Sequence, residues 1–250
     1  MLLKNKTAII TGCNKGIGKV ILDTFAQNGA NIIACIRKET IEFNVYIESI
    51  KNKYSISITP IYFDLENSDE IKTAISKIIS LKIKTDILVN NAGFASGAYF
   101  QMTPIIDLER MMKINFTSQV QFTQGISRYM ARFKSGSIIN MGSTAGLFGD
   151  VGMLSYGSSK AALIFATKTM ASELGQYNIR VNVIAPSVTK TEMFDQMEEN
   201  ARIKLIDSSA FKRAAEPIEV AVAIEGLLSP FSDHMTGLNI LHDGGFTRAY

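Results

Sequence analysis

The sequence predicts an α/β protein, a doubly wound parallel sheet with helices on both faces, as a single domain over residues 1–250. Two observations carry this. Short β-branched runs alternate with longer amphipathic stretches from one end of the chain to the other, the pattern of repeated βαβ units. The runs AIIT, NIIAC and DILV also lack apolar–polar alternation, as expected for strands buried on both sides. No internal repeat, low-complexity tract or linker interrupts the pattern, and the five prolines are scattered. One domain is therefore the expected count.

Taken in order, the first strand is Thr7–Thr11, and a glycine turn leads from it into a helix at about 16–28. Asn31–Cys35 is the second strand, followed by a helix at 39–53. Ser57–Phe63 and a helix at 68–81 complete the first half. Asp86–Val89 precedes a long helical pattern at 103–133, and Ser137–Met141 precedes another at 155–175. Arg180–Ile184, a helix at 217–229 and Leu238–Leu241 close the chain. The least regular stretch, about 187–211, is rich in Met, Glu and Lys; it is either a substrate lid or a peripheral helix pair.

Composition narrows the function. Hydrophobic residues make up 46% and charged residues 20%, enough for a buried core and unlike a disordered chain. The net charge of +3, from 26 basic and 23 acidic residues, is too small and too dispersed for a nucleic-acid partner. Cys13 and Cys35 are the only cysteines, so neither a disulfide framework nor a four-ligand zinc site can be built from them. They read as reduced core thiols. His234 and His242 lie far in sequence from the groups below and form no metal-ligand cluster. The opening MLLKNKTAIITG leaves no room for a signal peptide, and no stretch is long and apolar enough to cross a membrane. A soluble cytoplasmic protein without a metal is the expectation.

The turn Thr11-Gly12-Cys13-Asn14-Lys15-Gly16-Ile17-Gly18 follows a strand and opens a helix. Glycines there let the backbone approach a pyrophosphate, and the helix N-terminus offers free N–H groups and partial positive charge. Glycines in such a turn can also serve packing alone. In dinucleotide folds an acidic residue about 20 positions further on takes the ribose hydroxyls. Here Arg37 stands 19 residues after Gly18, where a guanidinium can clamp a 2′-phosphate. Lys15 adds a second cation, so NADP(H) is favoured over NAD(H). Glu39 is the alternative, reaching the ribose if the strand ends one residue later. Asp64-Leu65 follows the third strand and Asn90-Asn91-Ala92-Gly93 the fourth, at strand ends that line the ligand crevice. Asp64 either accepts from the adenine amino group or caps the next helix. The asparagines either brace the central strands or line the cleft.

Tyr156 and Lys160 are four residues apart on a helix and share a face. A free phenol titrates near 10; a neighbouring ammonium favours phenolate and lowers that value toward the working range. The same ammonium can hold a ribose. Ser143, 13 residues before the tyrosine, can hydrogen-bond a substrate carbonyl from the opposite side. Alone, Tyr-x-x-x-Lys recurs by chance on many helices.

Together these residues resemble the short-chain dehydrogenase/reductase family over essentially the whole chain. The resemblance rests on T-G-x-x-x-G-I-G at 11–18, Asp64, N-N-A-G at 90–93, Asn115 in KINF, Ser143, Y-x-x-x-K at 156–160, RVNVIAPS at 180–187 and DGG at 243–245. It implies a Rossmann-type fold with a seven-stranded parallel sheet, and often a homotetramer, for which the helices at 103–133 and 155–175 offer faces. It implies Tyr156 as the acid/base, Lys160 lowering its pKa and binding ribose, Ser143 polarising the carbonyl, and Asn115 holding a water in a proton relay. Cofactor contacts fall to Gly12, Asn14, Lys15, Gly16, Ile17, Gly18, Arg37, Asp64, Leu65, Asn91, Ala92, Gly93, Tyr156 and Lys160. The segment after Pro186 wraps the nicotinamide carboxamide, with Thr189 and Thr191 as candidates; the family's usual glycine there is Ser187 in this chain.

The implied activity is NADPH-dependent reduction of a ketone to a secondary alcohol. Phe94, Leu147, Phe148, Met153, Met193 and Phe194 are pocket candidates or ordinary core. Overall length and the short C-terminus resemble 3-oxoacyl-[acyl-carrier-protein] reductases of fatty acid synthesis. That makes the substrate a 3-oxoacyl thioester carried on acyl carrier protein or CoA. Arg128, Arg132 and Lys134 are a docking face for an acidic carrier or a solvated surface; Lys134 replaces the arginine of the first docking position, and Ser172 stands at the second. A reductase for another ketone, alcohol or sugar is the second hypothesis. A non-catalytic nucleotide-binding regulator is the third, and the intact Tyr156/Lys160/Ser143/Asn115 set argues against it.

Overall fold

The computed structural model describes residues 1–249; Tyr250, the last residue of the expected domain, lies outside the described residues. Seven strands form one sheet in the order β3-β2-β1-β4-β5-β6-β7, and every pairing is parallel. The strands are β1 (Thr7–Thr11), β2 (Asn31–Ile36), β3 (Ile58–Tyr62), β4 (Ile87–Asn90), β5 (Gly136–Met141), β6 (Ile179–Pro186) and β7 (Asn239–His242). The expected seven-stranded Rossmann-type sheet is thus present, with boundaries shifted by one or two residues.

Helices alternate with the strands: α1 (Gly16–Gln27), α2 (Ile41–Tyr54), α3 (Ser68–Ser80), α4 (Ile105–Met112), α5 (Ser118–Ala131), α6 (Leu154–Leu174), α7 (Glu192–Asp195), α8 (Glu199–Ser208) and α9 (Pro217–Leu227). Successive residues of each central strand serve opposite faces. Ile10 and Ala34 pack with Ile21, Leu22 and Phe25 of α1 and with Val220 and Ile224 of α9. Ile9, Ile33 and Leu88 pack with Ile71 and Ile78 of α3 and with Phe122 and Ile126 of α5. This two-sided burial explains the unbroken apolar runs.

The long helix expected at 103–133 is a correction. Pro104, with φ −66°, launches α4, and a single wide turn at Lys113–Thr117 separates α4 from α5. Such a widened turn inserts an extra residue into the helical ladder. Here it carries Asn115, which is fully buried. The stretch 187–211 holds the short α7 and α8.

β1 pairs with β2 on one side and β4 on the other. The chain runs outward through β2 and β3, then crosses back to lay β4 against β1, and at this reversal a crevice opens beyond the strands' carboxyl ends. A buried polar ladder fixes its floor. Asn90 Nδ2 donates to Thr123 Oγ1 at 2.7 Å and to Asn140 Oδ1 at 2.8 Å, and Asn140 Nδ2 donates to Thr167 Oγ1 at 2.8 Å. Asn90 therefore braces the central strands.

Candidate active site

The glycine turn is built by close approach. Gly12 has φ +66°, and a Cβ there would stand 2.8 Å from Ala92 Cα. Thr11 Oγ1 accepts from the backbone N–H of both Asn91 and Ala92 at 3.0 Å. Asn91 Nδ2 donates to the carbonyls of Thr11 (2.9 Å) and Gly12 (3.0 Å). Asn91 is thus a brace too, with its backbone carbonyl and Oδ1 left to meet a ligand. Gly16 has φ +52° and opens α1. No side chain caps that helix and no acid lies in its first turn. By contrast, Thr40 caps α2 and Asn67 caps α3, each with acids in the first turn. The N–H groups and positive dipole end of α1 are left to an external anion.

β2 extends one residue further than expected, to Ile36, and the exposed Arg37 follows directly. Glu39 turns toward α2, where its carboxylate accepts from Asn44 Nδ2 at 2.8 Å. Lys15 donates to Glu192 Oε2 at 2.7 Å, a partner the sequence did not indicate. Asp64 Oδ1 accepts from Glu66 N–H at 2.9 Å; because Asn67 supplies the cap of α3, the capping alternative for Asp64 falls away. The Leu65 carbonyl accepts from Ser118 Oγ at 2.5 Å. Glu66 takes both Nε and Nη2 of Arg110, and the Arg110 and Arg37 guanidinium groups hold its carboxyl below the ordinary carboxylate value.

The chemical end lies across the crevice. Lys160 is 3% exposed, its Nζ donates to the Met141 carbonyl at 2.7 Å, and it lies 5.7 Å from the centre of the Tyr156 ring. Burial alone pulls its pKa down to about 8. The Tyr156 phenol is held above its ordinary value of 10 by desolvation, with a Ser143 hydrogen bond pulling the other way. This corrects the expectation of a phenol acidified by Lys160. Burial penalises phenolate and ammonium alike, and the ammonium is directed at a backbone carbonyl.

Ser143 lies two residues beyond the end of β5 and caps the short turn Thr144–Gly146, accepting from Ala145 N–H at 3.2 Å. Two glycines the sequence reading passed over let this turn meet α6. A Cβ on Gly157 would stand 2.5 Å from the Ala145 carbonyl oxygen, and one on Gly146 would stand 2.8 Å from Ala161 N. A glycine placed directly after the tyrosine was the available signal.

Asn115 spends its side chain on protein. Its Oδ1 accepts from Phe94 N–H at 2.8 Å, while Nδ2 donates to the Phe94 carbonyl at 2.7 Å and to Ser159 Oγ at 3.0 Å. Ser159 Oγ in turn donates to the Tyr156 carbonyl at 2.7 Å. Both amide hydrogens are committed, so a relay water would find on this side chain only the second lone pair of Oδ1. Gly93 closes the group: a Cβ there would stand 3.3 Å from Asn115 Oδ1 and 3.6 Å from Lys160 Nζ.

β6 ends at Pro186, and the chain then returns over the glycine turn. Ser187 is absent from the left-handed residues, so nothing in the backbone demands glycine there. Thr189 bridges to Ala215 and its hydroxyl donates to the Ser187 carbonyl at 3.2 Å. The Thr191 methyl lies 3.7 Å from where a Gly16 Cβ would be.

A cavity of about 530 Å³ adjoins this constellation without including Ser143 or Tyr156; Phe100, Leu147, Phe148, Val151, Met153 and Leu154 are among its lining residues. Three of the six sequence-nominated pocket residues are therefore there. Phe94 instead lies under the Arg110 guanidinium at 4.8 Å, Phe194 under that of Arg202 at 5.4 Å, and Met193 is half exposed. Among the described residues no group of His, Cys, Asp and Glu can hold a metal ion, and no helix is long and apolar enough to cross a membrane. Both cysteines are buried and unpaired, and burial raises both thiol pKa values, that of Cys13 to about 12.

Residues 6–202 match the family model of short chain dehydrogenases. The chain belongs to the short-chain dehydrogenase family. This short-chain dehydrogenase is 36% identical to a 3-oxoacyl-[acyl-carrier-protein] reductase FabG from Thermotoga maritima, over 98% of this chain and 99% of the relative. It is 32% identical to a 3alpha-hydroxysteroid dehydrogenase from Mediterraneibacter gnavus, over 98% of each. Its fold is similar to a short-chain dehydrogenase/reductase from Serratia marcescens (TM-score 0.90, 28% identity, 99% of this chain and 100% of the other). A short chain dehydrogenase from Burkholderia cenocepacia in complex with NADP matches equally well, with TM-score 0.90, 25% identity and the same coverage.

The protein is therefore an oxidoreductase of a family that uses NAD(P)H. The residues present fit such a cofactor. The uncapped start of α1 accepts an anion, Gly12 and Gly16 hold the turn in left-handed conformations, and Lys160 and Gly93 meet at the far end of the same crevice.

Proposed function

We propose that this enzyme is an NADPH-dependent reductase that converts a ketone to a secondary alcohol, with a 3-oxoacyl thioester as its substrate. The observation that carries this is the Ser143–Tyr156–Lys160 group, with Ser143 and Tyr156 partly exposed over a buried Lys160, facing the same crevice as the uncapped end of α1. The FabG relatives at 36% and 32% identity supply the substrate class.

In this reading Gly12, Asn14, Lys15, Gly16, Ile17 and Gly18 hold the cofactor diphosphate, and Lys15 also joins Arg37 on the 2′-phosphate. Asp64 and Leu65 flank the adenine, while Asn91, Ala92 and Gly93 lie along the cofactor. Pro186, Thr189 and Thr191 meet the carboxamide, and Tyr156 and Lys160 meet the nicotinamide ribose. Bound NADPH supplies the hydride. Tyr156, kept protonated by burial, gives its phenolic proton to the developing alkoxide. Ser143 donates a hydrogen bond to the same oxygen, and a preorganised donor of this kind is worth about 3–4 kcal/mol in oxyanion sites. Asn115 acts by fixing Phe94 and, through Ser159, the first turn of α6.

The segment 187–211 is the substrate lid. Exposed apolar side chains on α4 (Ile105, Ile106), on α6 (Phe165) and near β7 (Phe231, Leu238) support a homotetramer, and light scattering tests it. The steroid dehydrogenase relative favours a second reading, another ketone or alcohol. So does the exposed Ser172, whose hydroxyl donates to Lys168. Loss of NADPH absorbance with acetoacetyl thioesters and with a panel of small ketones and steroids separates the two; turnover of none would refute both.

Two consequences follow for the cofactor. Arg37→Ala is expected to raise the NADPH Michaelis constant about tenfold or more, the value of a charge-assisted contact, and the NADH constant by less than about twofold. An unchanged ratio would remove Arg37 from the clamp.

Lys160 makes NADPH affinity pH-dependent. Its pKa of about 8 lies below the ordinary lysine value of 10.5, so the ammonium is present below about pH 8 and lost above it. Affinity is expected to fall as pH rises through about 8, and a Lys160→Met variant should bind weakly with no such step. The same shift gives stability the opposite slope. Between about 8 and 10.5 the unfolded chain binds more protons at this site, so this group's contribution to stability rises with pH.

A further inference from the structure

The Lys15 ammonium, one of two cations available to a 2′-phosphate, is already occupied. It donates to Glu192 Oε2 at 2.7 Å, and both side chains are more than 60% exposed. Glu192 is the first residue of α7, in the stretch that returns over the glycine turn, where Thr191 approaches Gly16. Among the described residues this is the only salt bridge between the glycine turn and the segment 187–211. Among the described residues Arg37 forms no salt bridge, and Glu66, whose carboxyl feels the Arg37 charge, is taken by Arg110.

We propose that Glu192 is a specificity-determining residue, an internal competitor that occupies Lys15 and must yield it when a 2′-phosphate binds. This rests on the NADPH reading above. A carboxylate and a phosphate dianion cannot both be close to one ammonium without repelling each other. Binding of a 2′-phosphorylated dinucleotide therefore costs the Lys15–Glu192 pair, whereas a dinucleotide with a free 2′-hydroxyl leaves it intact. Glu192 lowers the preference for NADPH over NADH, and capture of Lys15 frees the start of α7 from the glycine turn. Cofactor identity is thereby coupled to the position of the segment over the crevice.

The sign of this effect is unusual, because removing the side chain should improve binding. Equilibrium titration of the whole enzyme by quenching of reduced-nicotinamide fluorescence reads it without turnover. Glu192→Gln and Glu192→Ala are each expected to tighten NADPH about two- to fivefold, the range an exposed ion pair provides, and to leave NADH unchanged. The gain should shrink at high salt, and it should vanish in a Lys15→Met background. An unchanged NADPH/NADH affinity ratio in both Glu192 variants overturns the proposal, as does an equal gain in the Lys15→Met background. If wild-type protein binds both cofactors equally and Lys15→Met changes neither, the NADPH reading itself fails and this inference falls with it. Preserved NADPH preference with silent Glu192 variants sinks the inference alone.

Discussion

Tyr156→Phe is expected to lower kcat for ketone reduction by about three orders of magnitude, in the middle of the range a positioned acid contributes, while NADPH affinity changes little. The substitution removes one hydroxyl and keeps the ring, whose face lies 5.7 Å from Lys160 Nζ. The expected size follows from the state of the phenol. Desolvation holds it above its ordinary value, so near neutrality it carries its proton and is ready to give it. A proton donor suits reduction; in the oxidative direction the same burial is a handicap that the Ser143 hydrogen bond only partly offsets. Both directions pass through the same transition state, so blocking the phenol should slow reduction and oxidation by similar factors. Stopped-flow measurement of the chemical step in both directions checks this, and a reductive rate within tenfold of wild type would remove Tyr156 from the mechanism.

The direction of that shift marks the limit of what the sequence conveyed. Strand positions were legible because burial on both faces leaves no choice but unbroken apolar runs, as at Ala8–Ile10 and Ile32–Ala34. The glycine turn and the Tyr156/Lys160 pair were legible because their geometry is local, set by spacing along one turn or one helix face. The partners were not. Glu192 lies 177 residues from Lys15 and Phe94 lies 21 from Asn115, and no periodicity links such positions. The wide turn at Lys113–Thr117 was hidden because no Gly or Pro interrupts MMKINFTS; the burial of Asn115 is a tertiary demand. Likewise the phenol's pKa depends on how much protein surrounds it, and spacing reports only that an ammonium is near.

Gly18→Ala is expected to be as damaging as the loss of the tyrosine, by a different route. A Cβ at this position would fall 2.2 Å from the Gly12 carbonyl oxygen and 2.4 Å from Asn91 Nδ2. Neither can retreat cheaply. The carbonyl belongs to a turn whose Gly12 N–H is bonded to Cys35 at 2.8 Å, and Asn91 is held by two hydrogen bonds to Thr11 and Gly12. Overpacking of a rigid site costs about 1–3 kcal/mol or more, and each buried hydrogen bond given up adds about 1 kcal/mol. We expect a loss of about 3 kcal/mol or more in urea unfolding, together with loss of measurable NADPH binding, since the N-terminus of α1 must move away from β4. Gly226→Ala is the control. It also lies in a helix, α9, but nothing stands within 4 Å of its added Cβ, so the same methyl should stabilise by about 0.4–1 kcal/mol through the unfolded chain. Opposite signs for one chemical change would locate the requirement for glycine in the contact between the turn and the end of β4. Wild-type stability and binding in the Gly18 variant would mean that those backbones do not meet so closely.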